Sequence, residues 1–105
     1  MTERSNHGKI QVIESGFLSH IEHTLNLSAI DTELIKKRTF SVVIDAVNGA
    51  ASLALPAILN ALGCKVHLLN CIPDGYFPRG AEPLPHNLKG LSKAVIRKKA
   101  NVGFA

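Results

Sequence analysis

The sequence is poor in cysteine and in aromatic residues, and it has no long apolar run. Its 105 residues include two Cys, four Phe, one Tyr and no Trp. Two cysteines exclude a disulfide scaffold and are typical of a reducing compartment. No apolar run approaches the roughly 18 residues of a membrane helix, and residues 1–7 lack the apolar core of a signal peptide. We therefore expect a cytoplasmic protein without membrane contact.

Charge and composition indicate one small globular domain. The chain is 46% apolar and 19% charged, and twelve Lys and Arg against eight Asp and Glu leave a net charge of +4. The basic residues concentrate at 36–38 and 97–99, each at the end of a predicted helix, where cations complement the helix dipole. Because aromatic side chains for stacking on bases are also scarce, we do not expect nucleic-acid binding.

The polar side chains form no recognisable metal or catalytic motif. His20 and His23 have i, i+3 spacing on a predicted helix, whereas the metalloprotease motif needs i, i+4. Cys64 and Cys71 flank the predicted strand 65–70 that contains His67, and along one strand residues 64 and 71 would point to opposite faces. A glycine-rich dinucleotide motif and a Walker loop are both missing. We interpret the histidines as a solvated helix face and the thiols as unreactive core residues.

The apolar pattern predicts a helical lead-in followed by an α/β module. Residues 9–13 alternate as in a short strand or an extended entry, residues 15–27 have helical spacing, and Asp31 or Thr32 begins a second helix that ends at Arg38. Parallel strands are predicted at 40–46, 65–70 and 101–105, with helices near 50–62 and 86–99. Pro56 is expected in the first turn of its helix, and Gly63 just after its end. The sequence thus predicts a three-layer α/β/α fold with a mainly parallel sheet.

Two segments are candidates for a functional role. Asp45 ends the first predicted strand, and Asn48 and Gly49 follow in a turn that either faces a ligand or is an Asx-type connection between strand and helix. Residues 71–84 form a long loop without periodicity, and loops of this length in a compact domain are usually functional or docked on something. Ligands of open α/β sheets bind outside the carboxyl ends of the strands.

Several blocks of the chain, in order and at matching spacings, resemble the second domain of the α-D-phosphohexomutases. The strand and turn FSVVIDAVNGA (40–50), the helix and strand LPAILNALGCKV (55–66) and the loop NCIPDGYFP (70–78) carry the resemblance. The helix start EPLPHNL (82–88) and the strand ANVGFA (100–105) extend it. Residues 1–38 are interpreted as an N-terminal extension with interdomain helices, and 39–105 as the α/β/α domain, truncated at its third strand.

This resemblance implies a fragment of an isomerase. Complete phosphohexomutases have four domains and interconvert hexose 1- and 6-phosphates, using a phosphoserine of the first domain and Mg²⁺ held by an Asp-x-Asp-x-Asp-Arg loop of the second. That loop would follow Phe104 and Ala105, so we expect no catalytic residue, no bound Mg²⁺ and no activity in this chain. The alternative is a free-standing module that binds another protein without catalysis.

The same resemblance gives the two candidate segments a place in the parent enzyme. Asp45, Asn48 and Gly49 would line the edge of the substrate cleft. An interdomain loop would contact the neighbouring domains through Asp74, Gly75, Phe77 and Pro78. Surface that other domains would cover makes self-association of the isolated chain an expected property.

The chain departs from the family at residues 79–81. These are Arg, Gly and Ala, where the family more often has a stretch that contains His and Pro. Because the prolines that would restrict the backbone are missing, we expect a looser loop.

Overall fold

A three-stranded parallel sheet between helices forms the centre of the protein, as a computed structural model of residues 8–105 describes it. Expectations for residues 1–7 lie outside the described residues. The elements in chain order are α1 (Gly16–Leu25), α2 (Thr32–Arg38), β1 (Ser41–Asp45), α3 (Ala51–Ala61), β2 (Lys65–Leu69), a 3₁₀ turn (Pro85–Asn87), α4 (Lys89–Lys98) and β3 (Val102–Phe104). The strand order is β2-β1-β3, and both pairings are parallel. The predicted α/β/α fold is confirmed.

Strand β1 lies in the middle of the sheet and contributes to the core on both of its faces. Val42 and Ile44 pack with Leu59 of α3 on one face, and Val43 packs with Leu91 of α4 on the other. Successive side chains of a strand point to opposite faces, so a continuous apolar run is what a strand covered on both sides requires. Burying each such side chain contributes about 1.5–3 kcal/mol.

Strand β3 lies close to α4 and carries an open apolar surface on its other face. A Cβ on Gly103 would lie 2.7 Å from Cγ2 of Val95 and 2.9 Å from Cδ1 of Leu91, so any other residue here would force these side chains to move. On the opposite face, Phe104 is 43% exposed. A cavity of about 290 Å³, here called the apolar cavity, is lined by Ile35, Phe40, Val42, Leu59, Leu62, Cys64, Val102 and Phe104.

The structure decides between two alternatives for one segment and corrects one local prediction. Residues 9–13, expected as a short strand or an extended entry, form no strand, and Ile10 is 96% exposed. Pro56 is the sixth residue of α3 rather than part of its first turn. Its missing N–H leaves the carbonyl of Ser52 without the usual helical partner. The apolar face that α3 packs against the sheet holds the helix together around this proline.

The ends of the other helices agree more closely with the sequence. Asp31 caps α2 by accepting a hydrogen bond from the N–H of Leu34 at 2.9 Å. Gly63 follows α3 with φ +72°, a conformation that favours glycine. The predicted helix 86–99 is divided into the 3₁₀ turn and α4. Between residues 8 and 105, the helices are too short or too polar to cross a membrane.

Candidate functional site at the carboxyl edge of the sheet

A buried carboxylate lies at the point where β1 ends. Asp45 is 1% exposed, and its Oδ1 accepts hydrogen bonds from the backbone N–H of Val47 at 3.1 Å and from Nδ2 of Asn70 at 3.0 Å. Its Oδ2 accepts one from Nε of Arg79 at 2.7 Å. A carboxylate can be buried when a cation and hydrogen-bond donors replace its water. These three donors explain why Asp45 can end a buried strand.

Arg79 joins the long loop to this strand end. Its side chain is 13% exposed, its Nη1 donates to the carbonyl of Gly80 at 2.7 Å, and its Nη2 lies 3.5 Å from the carbonyl oxygen of Asp45. Gly80 packs so closely on the side chain of Asn87 that a Cβ would collide with it. The segment 79–81, for which a looser conformation was expected, is therefore anchored by an ion pair and by close packing.

Asn48 connects the turn after β1 to the first half of the loop. Its Nδ2 donates to the carbonyl of Tyr76 at 3.0 Å, and its Oδ1 accepts from the N–H of Ile72 at 3.0 Å. Its backbone carbonyl accepts from the N–H of Gly75 at 3.0 Å. Asn48 has φ 55°, in the left-handed region that asparagine tolerates better than most residues. The turn is therefore held by internal bonds, including the Asx-type bond from Asp45 to Val47.

The loop itself exposes apolar side chains to solvent. Asp74 accepts a hydrogen bond from the N–H of Tyr76 at 2.8 Å, and Gly75 has φ +76°. Tyr76 is 80% exposed and Phe77, which precedes Pro78, is 56% exposed. Polar bonds to Asn48 and Asp45 hold the loop, with little apolar burial. The predicted contact of this loop with other domains stays a prediction.

A second cavity, here called the edge cavity, opens at the carboxyl edge. Its volume is about 320 Å³, and it is lined by Asp45, Ala46, Val47, Gly49, Ala50, Ala51, Arg79, Ala81, Pro83 and Ala105. Gly49 donates its N–H to the carbonyl of Ala46 at 2.8 Å, and α3 begins directly after Ala50. Because the carboxylate of Asp45 is engaged by internal donors, no lining side chain is an unengaged acid, base or nucleophile. The polar part of the lining is thus the ion pair between Asp45 and Arg79, and the other lining residues are small or apolar.

The other polar clusters form no metal site. Nε2 of His67 lies 3.1 Å from Oγ of Ser41, and Cys64 and Cys71 pack against the core. His23 donates from Nδ1 to the carbonyl four residues earlier. Within residues 8–105, no three His, Cys, Asp or Glu side chains come together to hold a metal ion.

The structure brings together part of the predicted site and adds two residues to it. Asp45, Asn48 and Gly49 lie at the edge, and Asn48 contacts the loop at Gly75. Asn70 and Arg79 were missed. Arg79 is the only basic residue between positions 71 and 84. A lone cation in the loop after β2, next to a strand that ends in a buried acid, is the signal that could have identified it.

A parallel sheet covered by helices on both faces, with a polar cluster where the strands end, defines an α/β/α domain of the open-sheet class. Residues 15–105 match the family described as phosphoglucomutase/phosphomannomutase, alpha/beta/alpha domain II. The chain belongs to this family.

Curated relatives agree with this assignment. The chain is 51% identical over 77 residues to a phosphoglucomutase/phosphomannomutase of Thermococcus kodakarensis, a match that covers 72% of this chain and 17% of the relative. It is 34% identical over 100 residues to a probable phosphoglucosamine mutase of Methanopyrus kandleri, covering 94% and 21%. A probable phosphoglucosamine mutase of Thermococcus gammatolerans is 36% identical, covering 98% and 23%. The chain spans about a fifth of the length of these relatives.

Proposed function

We propose that this chain is part of a phosphohexomutase whose complete form interconverts hexose 1-phosphate and hexose 6-phosphate by Mg²⁺-dependent intramolecular phosphoryl transfer. The observation that carries the proposal is the family match over residues 15–105 together with relatives that bear mutase names. In the complete enzyme, the hexose phosphate would be the substrate and the remaining domains would be the partners of this one.

In such an enzyme these residues would form part of the wall of the substrate cleft and would supply no catalytic group. The turn that contains Asp45, Asn48 and Gly49 would form one edge of the substrate cleft, because ligands of open α/β sheets bind at the carboxyl ends of the strands. The exposed side chains of Tyr76 and Phe77 would pack against a neighbouring domain. Asp45 would not act as an acid or base, since three donors already engage its carboxylate.

The isolated chain is expected to have no mutase activity. Phosphoryl transfer depends on positioning and on neutralisation of charge by a metal ion. Residues 8–105 bring no three metal-ligating side chains together, so Mg²⁺ would have to be held by other residues of the complete enzyme.

An activity assay tests this expectation. The pure chain is incubated with glucose 1-phosphate or mannose 1-phosphate and Mg²⁺, and the 6-phosphate product is measured. A complete phosphohexomutase under the same conditions serves as the positive control. Conversion by the 105-residue chain would contradict the proposal that its catalytic groups lie elsewhere.

The size of the polypeptide in source cells tests the proposal more directly. An antiserum against this chain should detect a protein roughly four times its length, because a match to 104 residues of this chain covers 23% of one relative. Detection only of an 11.3 kDa product would contradict a fragment and favour the second candidate function.

The second candidate is a protein-binding module without catalysis. The observation that favours it is the row of exposed apolar side chains on the loop, with Ile72 67%, Tyr76 80% and Phe77 56% exposed. The same surface could pair two copies of the chain. A mass by light scattering that stays at one chain across a concentration series would contradict self-association. A purified partner that loses binding when Phe77 is replaced by Ser would support the module.

A further inference from the structure

The two halves of the loop 71–84 are held in different ways. Asn48 holds the first half through hydrogen bonds to Ile72 and Tyr76. Among the described residues, Arg79 makes the only hydrogen bonds that join positions 77–81 to the sheet. Apolar burial gives little support here, because Phe77 is 56% exposed. Gly80 and Glu82 are held on the other side by Asn87, through close packing and a hydrogen bond of 2.9 Å from Nδ2 to the carbonyl of Glu82. The attachment of positions 77–81 to the sheet therefore depends on one side chain, that of Arg79.

That side chain also forms a wall of the edge cavity. Arg79 and Asp45 line it together with Ala81 and Pro83 of the loop and with Ala51 at the start of α3. If the Arg79 bonds were lost, the segment that carries Ala81 could move away from the sheet. The shape of the cavity and the order of this segment are thus coupled through the ion pair.

We propose that Arg79 is a positioning residue, which holds residues 77–81 against the carboxyl edge of the sheet through Asp45 and thereby maintains the edge cavity. The hydrogen bonds from Arg79 to Asp45 are here called the tether, and they lie within this chain. Its consequence for a substrate rests on the proposed function, because only in the complete mutase would the edge cavity border the cleft.

Arg79 has a structural effect that the experiment must separate from positioning. Removal of its charge leaves the buried carboxylate of Asp45 without a cation, and this alone can destabilise the whole domain. The double substitution D45N/R79M removes both charges and keeps an amide that can accept the bonds from Val47 and Asn70. The double variant should therefore have a higher free energy of unfolding than R79M. Its loop should still lack the bonds from residue 79 to the sheet.

Backbone ¹⁵N relaxation of the 105-residue chain measures the tether. The variants are R79M, R79K, D45N/R79M and, as a control that removes a cation from α4, R97M. Urea unfolding of each variant measures global stability separately. The amide order parameters of Gly80 and Ala81 are the readout, since about 0.85 is typical of rigid backbone and values below about 0.6 of flexible backbone.

We expect values near 0.85 for Gly80 and Ala81 in the parent chain and in R97M, and values below about 0.6 in D45N/R79M and in any folded R79M. R79K should give intermediate values, because an ammonium group keeps the charge but not the fork of donors. Rigid Gly80 and Ala81 in folded D45N/R79M would overturn the proposal, as would equal loosening in R97M. Neither result bears on mutase activity, so failure of the tether and failure of the proposed function remain distinguishable.

Discussion

The apolar cavity and the edge cavity are maintained by different kinds of interaction. The apolar cavity is lined by apolar side chains such as Val42 and Phe104, and most of its lining residues belong to helices and strands. The edge cavity has a similar volume, about 320 Å³ against about 290 Å³, but turn and loop residues form most of its walls. Its polar wall is the ion pair between Asp45 and Arg79.

This difference shows where sequence changes have distant effects. A cavity wall that is formed by helices and strands is stabilised by many small contacts. Truncation of one side chain there leaves a void, and the loss in unfolding free energy depends on how far the neighbours relax into it. A wall made of loop depends on a few directional bonds, and the loss of one bond can release a segment. We therefore expect core substitutions to change global stability and edge substitutions to change local order as well.

The largest expected effect on global stability comes from the core that supports both cavities. Ile44 is fully buried in β1, and Ile44→Ala should lower the free energy of unfolding by about 3 kcal/mol, since it removes buried methyl groups and leaves a cavity. Urea unfolding followed by circular dichroism gives the value. Ile96→Ala is the matched control, because Ile96 is 77% exposed.

The comparison between Ile44→Ala and Ile96→Ala separates the effect of burial from the effect of shortening an isoleucine. The same atoms are deleted in both variants, so their difference reports mainly burial, with a smaller contribution from the preference of alanine for helix over strand. Ile96→Ala should change the unfolding free energy by less than about 0.5 kcal/mol. Equal losses in the two variants would show that the face of α4 that carries Ile96 is covered in solution.

Loss of the hydrogen bonds that Asn48 makes to the loop should have an intermediate effect on global stability. It should also loosen the loop locally. Asn48→Ala removes two side-chain hydrogen bonds and places alanine at φ 55°, so we expect a loss of about 2 kcal/mol. Tyr76 is the only tyrosine and the chain has no tryptophan, so fluorescence anisotropy reports on the loop directly. The anisotropy of Tyr76 should fall.

A glycine variant separates the two causes of this effect. Asn48→Gly loses the same hydrogen bonds but accepts the left-handed backbone, so it should be about 1 kcal/mol more stable than Asn48→Ala. Both variants should show the same fall in Tyr76 anisotropy. An unchanged anisotropy in the two variants would mean that the side chain of Asn48 does not hold the loop.

Sequence patterns predicted the apolar part of this structure better than its polar part. The continuous apolar run of β1 and the helical spacing of α4 follow from burial periodicity, which is local in the chain. The bond from Arg79 to Asp45 joins residues 34 positions apart, and no local pattern encodes such a pairing. Pro56 was misplaced for a related reason, because packing of α3 on the sheet overrides the local preference of proline for a first turn.

The smallest expected effect has the opposite sign and concerns the helix that borders the edge cavity. Ser52 is 4% exposed, and its Oγ has no hydrogen-bond partner among the described residues. A buried hydroxyl without a partner loses its hydration and gains nothing in return, so Ser52→Ala should raise the free energy of unfolding, by up to about 1 kcal/mol.

Alanine also favours the helix over serine, and both contributions have the same sign. Ser92→Ala on the exposed face of α4 controls for helix propensity alone, and the difference between the two variants measures the unpaired hydroxyl. A loss of stability in Ser52→Ala would show that the hydroxyl has a hydrogen-bond partner in solution. The first turn of α3 would then be stabilised by directional polar bonds, like the carboxyl edge of the sheet, rather than by apolar burial, like the core.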